Sequence, residues 1–165
     1  GLGRRFRKKK ILEIIKLFSG PIIVDADAIS LFENHKKDFI NFIKTKKDII
    51  ITPHLGEFKR VFNYVSYKSK VYNCLEASKL VNNCIILKGN DSVIAFPNEK
   101  VWINDLARNN LATAGSGDML CGIIAGLLAQ KMKIDHAAPA SLWIQNRVSR
   151  LNEHVVVEDF LNESF

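Results

Sequence analysis

This chain is short of the features that would place it quickly. Its three cysteines and four prolines in 165 residues exclude a disulfide scaffold and a proline-rich linker protein. Cys74, Cys84 and Cys121 are not at metal-site spacing and stand in apolar surroundings, the pattern of buried thiols in a reducing cytoplasm. No apolar run reaches the ~20 residues a membrane span requires. The longest, from Met119 to Ala129, is broken by two glycines. Internal repeats, low-complexity tracts and signal-peptide patterns are missing, so the expectation is one domain over 1–165 with no membrane partner. Two glycine signatures are lacking as well. There is no Gly-x-x-x-x-Gly-Lys-Ser/Thr, and Gly115-x-Gly117 has no third glycine at the dinucleotide-binding spacing.

Charge is present in excess of one sign. The net charge is +7, and basic residues crowd at Arg4, Arg5, Arg7, Lys8, Lys9 and Lys10. That run leads into Ile11, Leu12, Ile14, Ile15 and Phe18, a stripe at helical period, which reads as a solvated helix start. Neither an aromatic-and-basic ribonucleoprotein pattern nor zinc-finger spacing accompanies it, so no nucleic-acid partner is expected. A positive balance also suits a pocket for phosphate-rich ligands.

Short β-branched runs alternate with amphipathic stretches, the signature of an α/β layer fold. Ser19-Gly20-Pro21 stops the first helix, and Ile22-Ile23-Val24 reads as a buried strand emptying into Asp25-Ala26-Asp27. A helix through Phe39 to Ile43 precedes the strand at 48–51, which ends in Thr52-Pro53-His54. Val71, Leu75 and Val81 mark a helix before strand 84–87, which runs out into Lys88-Gly89-Asn90-Asp91-Ser92. Val93 to Phe96 and Val101 to Ile103 predict a hairpin at a sheet edge. Two helices follow, the second from near Asp135 past Trp143.

The most informative segment is Leu111-Ala112-Thr113-Ala114-Gly115-Ser116-Gly117-Asp118, running straight into the last apolar stretch. Glycines flanking a serine let backbone approach a ligand, and the following helix offers it unpaired N–H groups and a positive dipole end. Asp118 stands among those amides as a carboxylate able to take a proton from an attacking hydroxyl. The bland reading is a glycine turn starting a buried helix. Gly122 and Gly126 share a helix face, which predicts close packing there.

Four chain segments are thus expected to meet at one rim: Asp25 and Asp27, His54 and Glu57, Lys88 to Ser92, and Gly115 to Asp118. Taken with Asp25-Ala26-Asp27-Ala28, Thr52-Pro53-His54-Leu55-Gly56-Glu57-Phe58, Leu87-Lys88-Gly89 and Leu111 to Asp118, the chain resembles the ADP- or ATP-dependent NAD(P)H-hydrate dehydratases of the ribokinase-like superfamily. The resemblance implies a three-layer α/β/α sandwich that begins at the family's Gly-Leu-Gly loop, with the N-terminal part of the domain missing. It implies repair of hydrated NADH or NADPH: ADP or ATP phosphorylates the ring hydroxyl, and phosphate is then eliminated.

Residue by residue, the resemblance makes Asp118 the general base and a substrate contact, with Gly3 and His54 also at the hydrated nucleotide. Gly115, Ser116 and Gly117 become an anion hole. Lys88, Gly89, Asn90, Asp91, Ser92 and Gly117 line the ADP or ATP site. Mg²⁺ is the implied ion, with Asp25 and Asp27 ordering it through water. A homo-oligomer and an NAD(P)H-hydrate epimerase as functional partner are implied as well. Departures from the family pattern fall at Ala107-Arg108-Asn109-Asn110 and at Gln145 to Arg150. Another ribokinase-like small-molecule kinase and a non-catalytic nucleotide-binding remnant are the competing readings.

Overall fold

Alternation within the strands decides the layering. The computed structural model describes residues 8–105 and 115–151. Their elements run α1 (Lys8–Leu17), β1 (Ile22–Val24), α2 (Asp27–Ser30), a 3-10 turn (Glu33–His35), α3 (Lys36–Ile43), β2 (Ile49–Ile51), α4 (Leu55–Val61), α5 (Lys70–Val81), β3 (Cys84–Leu87), β4 (Ser92–Ala95), β5 (Val101–Asn104), α6 (Ser116–Ala129) and α7 (Ile134–Leu151). The strands lie in chain order, β1, β2 and β3 parallel and β4 and β5 antiparallel. The expected edge hairpin is β4–β5.

Successive strand residues point to opposite faces. Ile49, Ile51, Ile85, Leu87, Val93 and Ala95 pack on one side with Ile11 and Ile15 of α1, Phe39 and Ile43 of α3, Phe58 of α4 and Cys74 of α5. Ile50, Cys84, Ile86 and Ile94 pack on the other with Leu120 and Ile124 of α6 and Ala138 and Leu142 of α7. Helices therefore cover both faces, which is the three-layer α/β/α sandwich. Strands β2 and β3 are buried throughout, as parallel strands between two helical layers must be, and this is why they read as continuous apolar runs.

Parallel strands share a direction, so the C-terminal ends of β1, β2 and β3 open on one rim. An isolated bridge between His54 and Lys88 extends the β2–β3 pairing one step beyond the strands, and the Lys88 N–H donates to the Pro53 carbonyl at 2.9 Å. The two strand exits leave the sheet side by side.

One expectation is corrected. Among the described residues a Cβ added to Gly122 or Gly126 would meet nothing within 4 Å, so these glycines seat α6 closely on none of them. The helix instead buries Leu120 and Ile124, and at 3.6 residues per turn positions 122 and 126 fall on the opposite, exposed side. Among the described residues each glycine carries the backbone entropy cost without a packing return. Gly122→Ala and Gly126→Ala are each expected to stabilise this chain by about 0.5–1 kcal/mol, read as a rise in the urea midpoint at unchanged slope.

Candidate functional site

The Thr-Pro-His-x-Gly-Glu segment folds into a helix cap. His54 is the N-cap of α4, and its Nδ1 accepts hydrogen bonds from the Gly56 N–H at 2.9 Å and the Glu57 N–H at 3.3 Å. Glu57 Oε2 accepts the His54 N–H in return at 2.9 Å. This is a capping box with histidine in the place usually held by serine or threonine. With Nδ1 spent as an acceptor, the neutral ring carries its proton on Nε2. Nε2 lies 3.4 Å from Glu57 Oε1 on a half-exposed ring, so Nε2–H is the donor His54 offers at the rim.

The glycine of the motif belongs to the same arrangement. A Cβ at Gly56 would sit 2.8 Å from His54 Cε1 and 3.1 Å from Nδ1. Gly56→Ala is therefore expected to push the imidazole off its cap. The lost cap costs about 1 kcal/mol, and the gain in helix propensity returns a similar ~1 kcal/mol. Stability should stay nearly level while the His54 ring resonances in an NMR spectrum shift; an unmoved ring would refute the steric account.

An ion pair occupies the centre of the rim. Lys88 Nζ lies 2.7 Å from Asp25 Oδ1, with side chains only 20% and 14% exposed. The other carboxylate oxygen, Oδ2, accepts from Cys121 Sγ at 3.5 Å, and Cys121 Sγ lies 3.8 Å from Thr52 Oγ1. Burial, and then the charge of Asp25, push the Cys121 thiol up to about 11, so it stays protonated near neutrality. Asp25 is thus held by an ammonium and a thiol. Among the described residues no group of three or more His, Cys, Asp or Glu is placed to hold a metal ion.

The N-terminus of α6 covers this pair. Gly115 is its N-cap in the left-handed region, with φ 89°, and supplies no side-chain cap. Among the described residues no side chain caps the first N–H groups of the helix, groups that face an anionic ligand where one binds such a turn. A Cβ on Gly117 would lie 3.4 Å from Lys88 Nζ and 3.5 Å from Asp25 Oδ2, which places the first turn directly against the ion pair. Gln145 Nε2 of α7 donates to the Ser116 carbonyl at 2.8 Å and fastens the turn from behind. Asp118 is exposed in that first turn and makes no ion pair among the described residues.

Of the residues expected at the site, Lys88, Gly115, Ser116, Gly117 and Asp118 meet at this rim, with His54 on the adjoining strand exit. Gly89 to Ser92 form the turn into β4: Ser92 Oγ donates to the Gly89 carbonyl at 2.8 Å, and Asp91 is paired with Lys70 at 2.7 Å. Hydrogen bonding to Lys70 holds the Asp91 carboxyl below its ordinary value. Gly3, Arg108 and 111–114 lie outside the described residues. Sequence reasoning missed Thr52, Cys121 and Gln145. Only the strand-end position of Thr52 and the i, i+4 relation of Cys121 to Gly117 could have pointed to them.

The chain is similar to known proteins. A family model for NAD(P)H-hydrate dehydratase matches residues 1–158. The ADP-dependent (S)-NAD(P)H-hydrate dehydratase of Neisseria meningitidis is 32% identical over 127 residues, 75% of this chain and 43% of its own length. A bifunctional NAD(P)H-hydrate repair enzyme of Mycobacterium tuberculosis is 35% identical over 118 residues, 72% of this chain and 24% of that one. Among solved structures, the Bacillus subtilis ADP/ATP-dependent NAD(P)H-hydrate dehydratase co-crystallised with ATP/Mg²⁺ superimposes with a TM-score of 0.68 at 27% identity, over 86% of this chain and 51% of that one. A ribokinase-like superfamily protein from Enterococcus faecalis, at 20% identity and TM-score 0.76, shares the fold over 93% of this chain and 55% of its own. The chain thus spans roughly half of these two structures and less of the two curated relatives.

Proposed function

The chain belongs to the NAD(P)H-hydrate dehydratase family, and from that premise we propose that it serves nucleotide-driven repair of hydrated NADH or NADPH. The observation that carries the reading is the uncapped first turn of α6 set against the Lys88 ammonium, with Asp118 in the same turn. Backbone N–H groups, a helix dipole and a lysine converge where phosphoryl oxygens are to sit.

In this reading ADP or ATP donates the phosphoryl group, its phosphates lying on the amides of Gly115, Ser116 and Gly117 and on Lys88. The turn from Gly89 through Asn90 and Asp91 to Ser92 carries the rest of the donor. His54 Nε2–H and Gly3 contact the hydrated nicotinamide nucleotide. The ring hydroxyl oxygen attacks phosphorus while Asp118 accepts its proton, and the bond to the donor's leaving phosphate oxygen breaks. Hydroxide is a poor leaving group, but the phosphate ester is a good one. The lone pair of the ring nitrogen expels phosphate, and loss of a proton from the adjacent ring carbon restores the dihydronicotinamide.

Mg²⁺ neutralises phosphate charge in such transfers. The described residues do not build a cage of three or more ligands for it, so the ion is expected to rest mainly on the nucleotide's phosphates and on water, with one or two carboxylates at most, Asp25 and Asp27 reaching it through water. Relatives named as bifunctional repair enzymes support an epimerase as functional partner. Among the described residues no helix is long and apolar enough to cross a membrane. The three unpaired cysteines suit a cytoplasmic setting. A homo-oligomer is part of the same proposal.

The test mixes the purified chain with hydrated NADH, Mg²⁺ and either ADP or ATP, and follows dihydronicotinamide absorbance together with phosphate release. Recovery of absorbance in step with phosphate is the expected result. A phosphate ester that accumulates without recovery would identify a small-molecule kinase instead. Binding of ATP with no chemistry would identify a nucleotide-binding remnant.

A further inference from the structure

We propose that Asp25 and Cys121 are positioning residues that act through Lys88, holding its ammonium against the first turn of α6 so that lysine and amides address the same phosphoryl group. This deepens the reading above and rests on it.

Lysine is a compact charge on a flexible four-carbon stem, and left alone its ammonium samples many places. Here one place is imposed. Asp25 Oδ1 holds Nζ at 2.7 Å, and a Gly117 Cβ would come within 3.4 Å of that Nζ and 3.5 Å of the other carboxylate oxygen, Oδ2. Asp25 is itself fixed, because its second oxygen accepts from Cys121 Sγ. Cys121 stands one turn after Gly117 on the same helix, so the thiol travels with the amides it serves. The chain β1 end, β3 end and α6 is thereby tied into one unit, with Thr52 of the β2 exit against the thiol.

Stability is a weak reason for this pair. Partly buried ion pairs seldom outperform apolar replacements, because desolvation offsets the attraction. What the pair does supply is a cation in a stated place. A donor displaced by about 1 Å can lower turnover by about a hundredfold while binding is kept. Asp25 also competes with phosphate for Lys88. Its removal should therefore leave ATP binding unweakened while turnover falls, a split that collapse of the pocket would not produce.

The experiment compares Asp25→Asn, Lys88→Met, the double variant, Cys121→Ala and Cys121→Ser, each checked for folding by circular dichroism and thermal melting. ATP and adenosine binding are measured by calorimetry, and turnover by the hydrated NADH assay. Expected are a fall in kcat of roughly tenfold or more for Asp25→Asn with ATP affinity kept, and no further fall when Asp25→Asn is added to Lys88→Met. Lys88→Met should weaken ATP and leave adenosine unchanged. Cys121→Ser, which keeps a donor, should retain turnover that Cys121→Ala loses.

An Asp25→Asn variant with unchanged kcat, or one that loses ATP and adenosine together, would overturn the positioning role while leaving the dehydratase reading in place. A folded wild-type chain that neither binds ATP nor turns over hydrated NADH would overturn that reading, and this one with it.

Discussion

Asp118→Asn is expected to abolish turnover of hydrated NADH while ATP binding holds or tightens slightly. The substitution keeps the shape of the side chain and removes its ability to accept the hydroxyl proton. A positioned general base contributes typically about 10²–10⁴-fold, so the residual rate should fall at least into that range. Binding is spared because the proposed phosphate contacts come from other groups: the first-turn amides of α6, fastened by Gln145 through the Ser116 carbonyl, and the Lys88 ammonium. Removing a carboxylate from that turn also relieves repulsion against the incoming phosphates. Turnover within a few-fold of wild type would take Asp118 out of the base role. Loss of ATP binding would make it a structural member of the turn.

The largest effect on stability is expected from Asn83→Ala, a residue remote from the rim. Asn83 is 4% exposed, and its amide joins three elements. Oδ1 accepts the Ile49 N–H at 3.1 Å at the start of β2, and Nδ2 donates to the carbonyls of Ile43, Lys46 and Val81 at 3.1, 2.9 and 3.0 Å. One side chain thus ends α3, begins β2 and closes α5. Truncation orphans a buried N–H and removes a donor from three carbonyls, at about 1–3 kcal/mol for each group left buried without a partner. Some of those carbonyls regain water or helix partners, so a net loss of about 2–4 kcal/mol is expected. Against a total of about 5–15 kcal/mol for a domain, that is a large part of the reserve. Urea denaturation followed by circular dichroism measures it, and a loss below about 1 kcal/mol would show that water replaces the amide.

Legibility differs along the chain in a way that physical chemistry explains. The strand at Ile22–Val24, the one at Ile49–Ile51 and the hairpin after Ser92 were readable because their signals are local: β-branched runs, a glycine-proline stop and turn residues. The α/β class was readable because strands buried between helices show as short continuous apolar runs, while the three-layer sandwich was implied by the family resemblance. Convergence at one rim followed from topology, since parallel strands end on the same side. His54 and Glu57 were singled out by their motif, but their mutual cap was not seen, because histidine is an unusual N-cap.

The sequence by itself determined the α/β class, the glycine turn with its carboxylate, the order of the polar strand ends and the family resemblance they carry. Tertiary structure alone decided which polar groups face each other. Asp25 and Lys88 lie 63 residues apart and pair, a contact that no local pattern announces. Gly122 and Gly126 obey helical spacing, yet the buried face of α6 belongs to Leu120 and Ile124. Periodicity states which residues share a face, but which face is covered depends on neighbours brought in by the rest of the fold. The same holds for Asn83, whose partners in α3, β2 and α5 are joined by burial rather than by any local pattern.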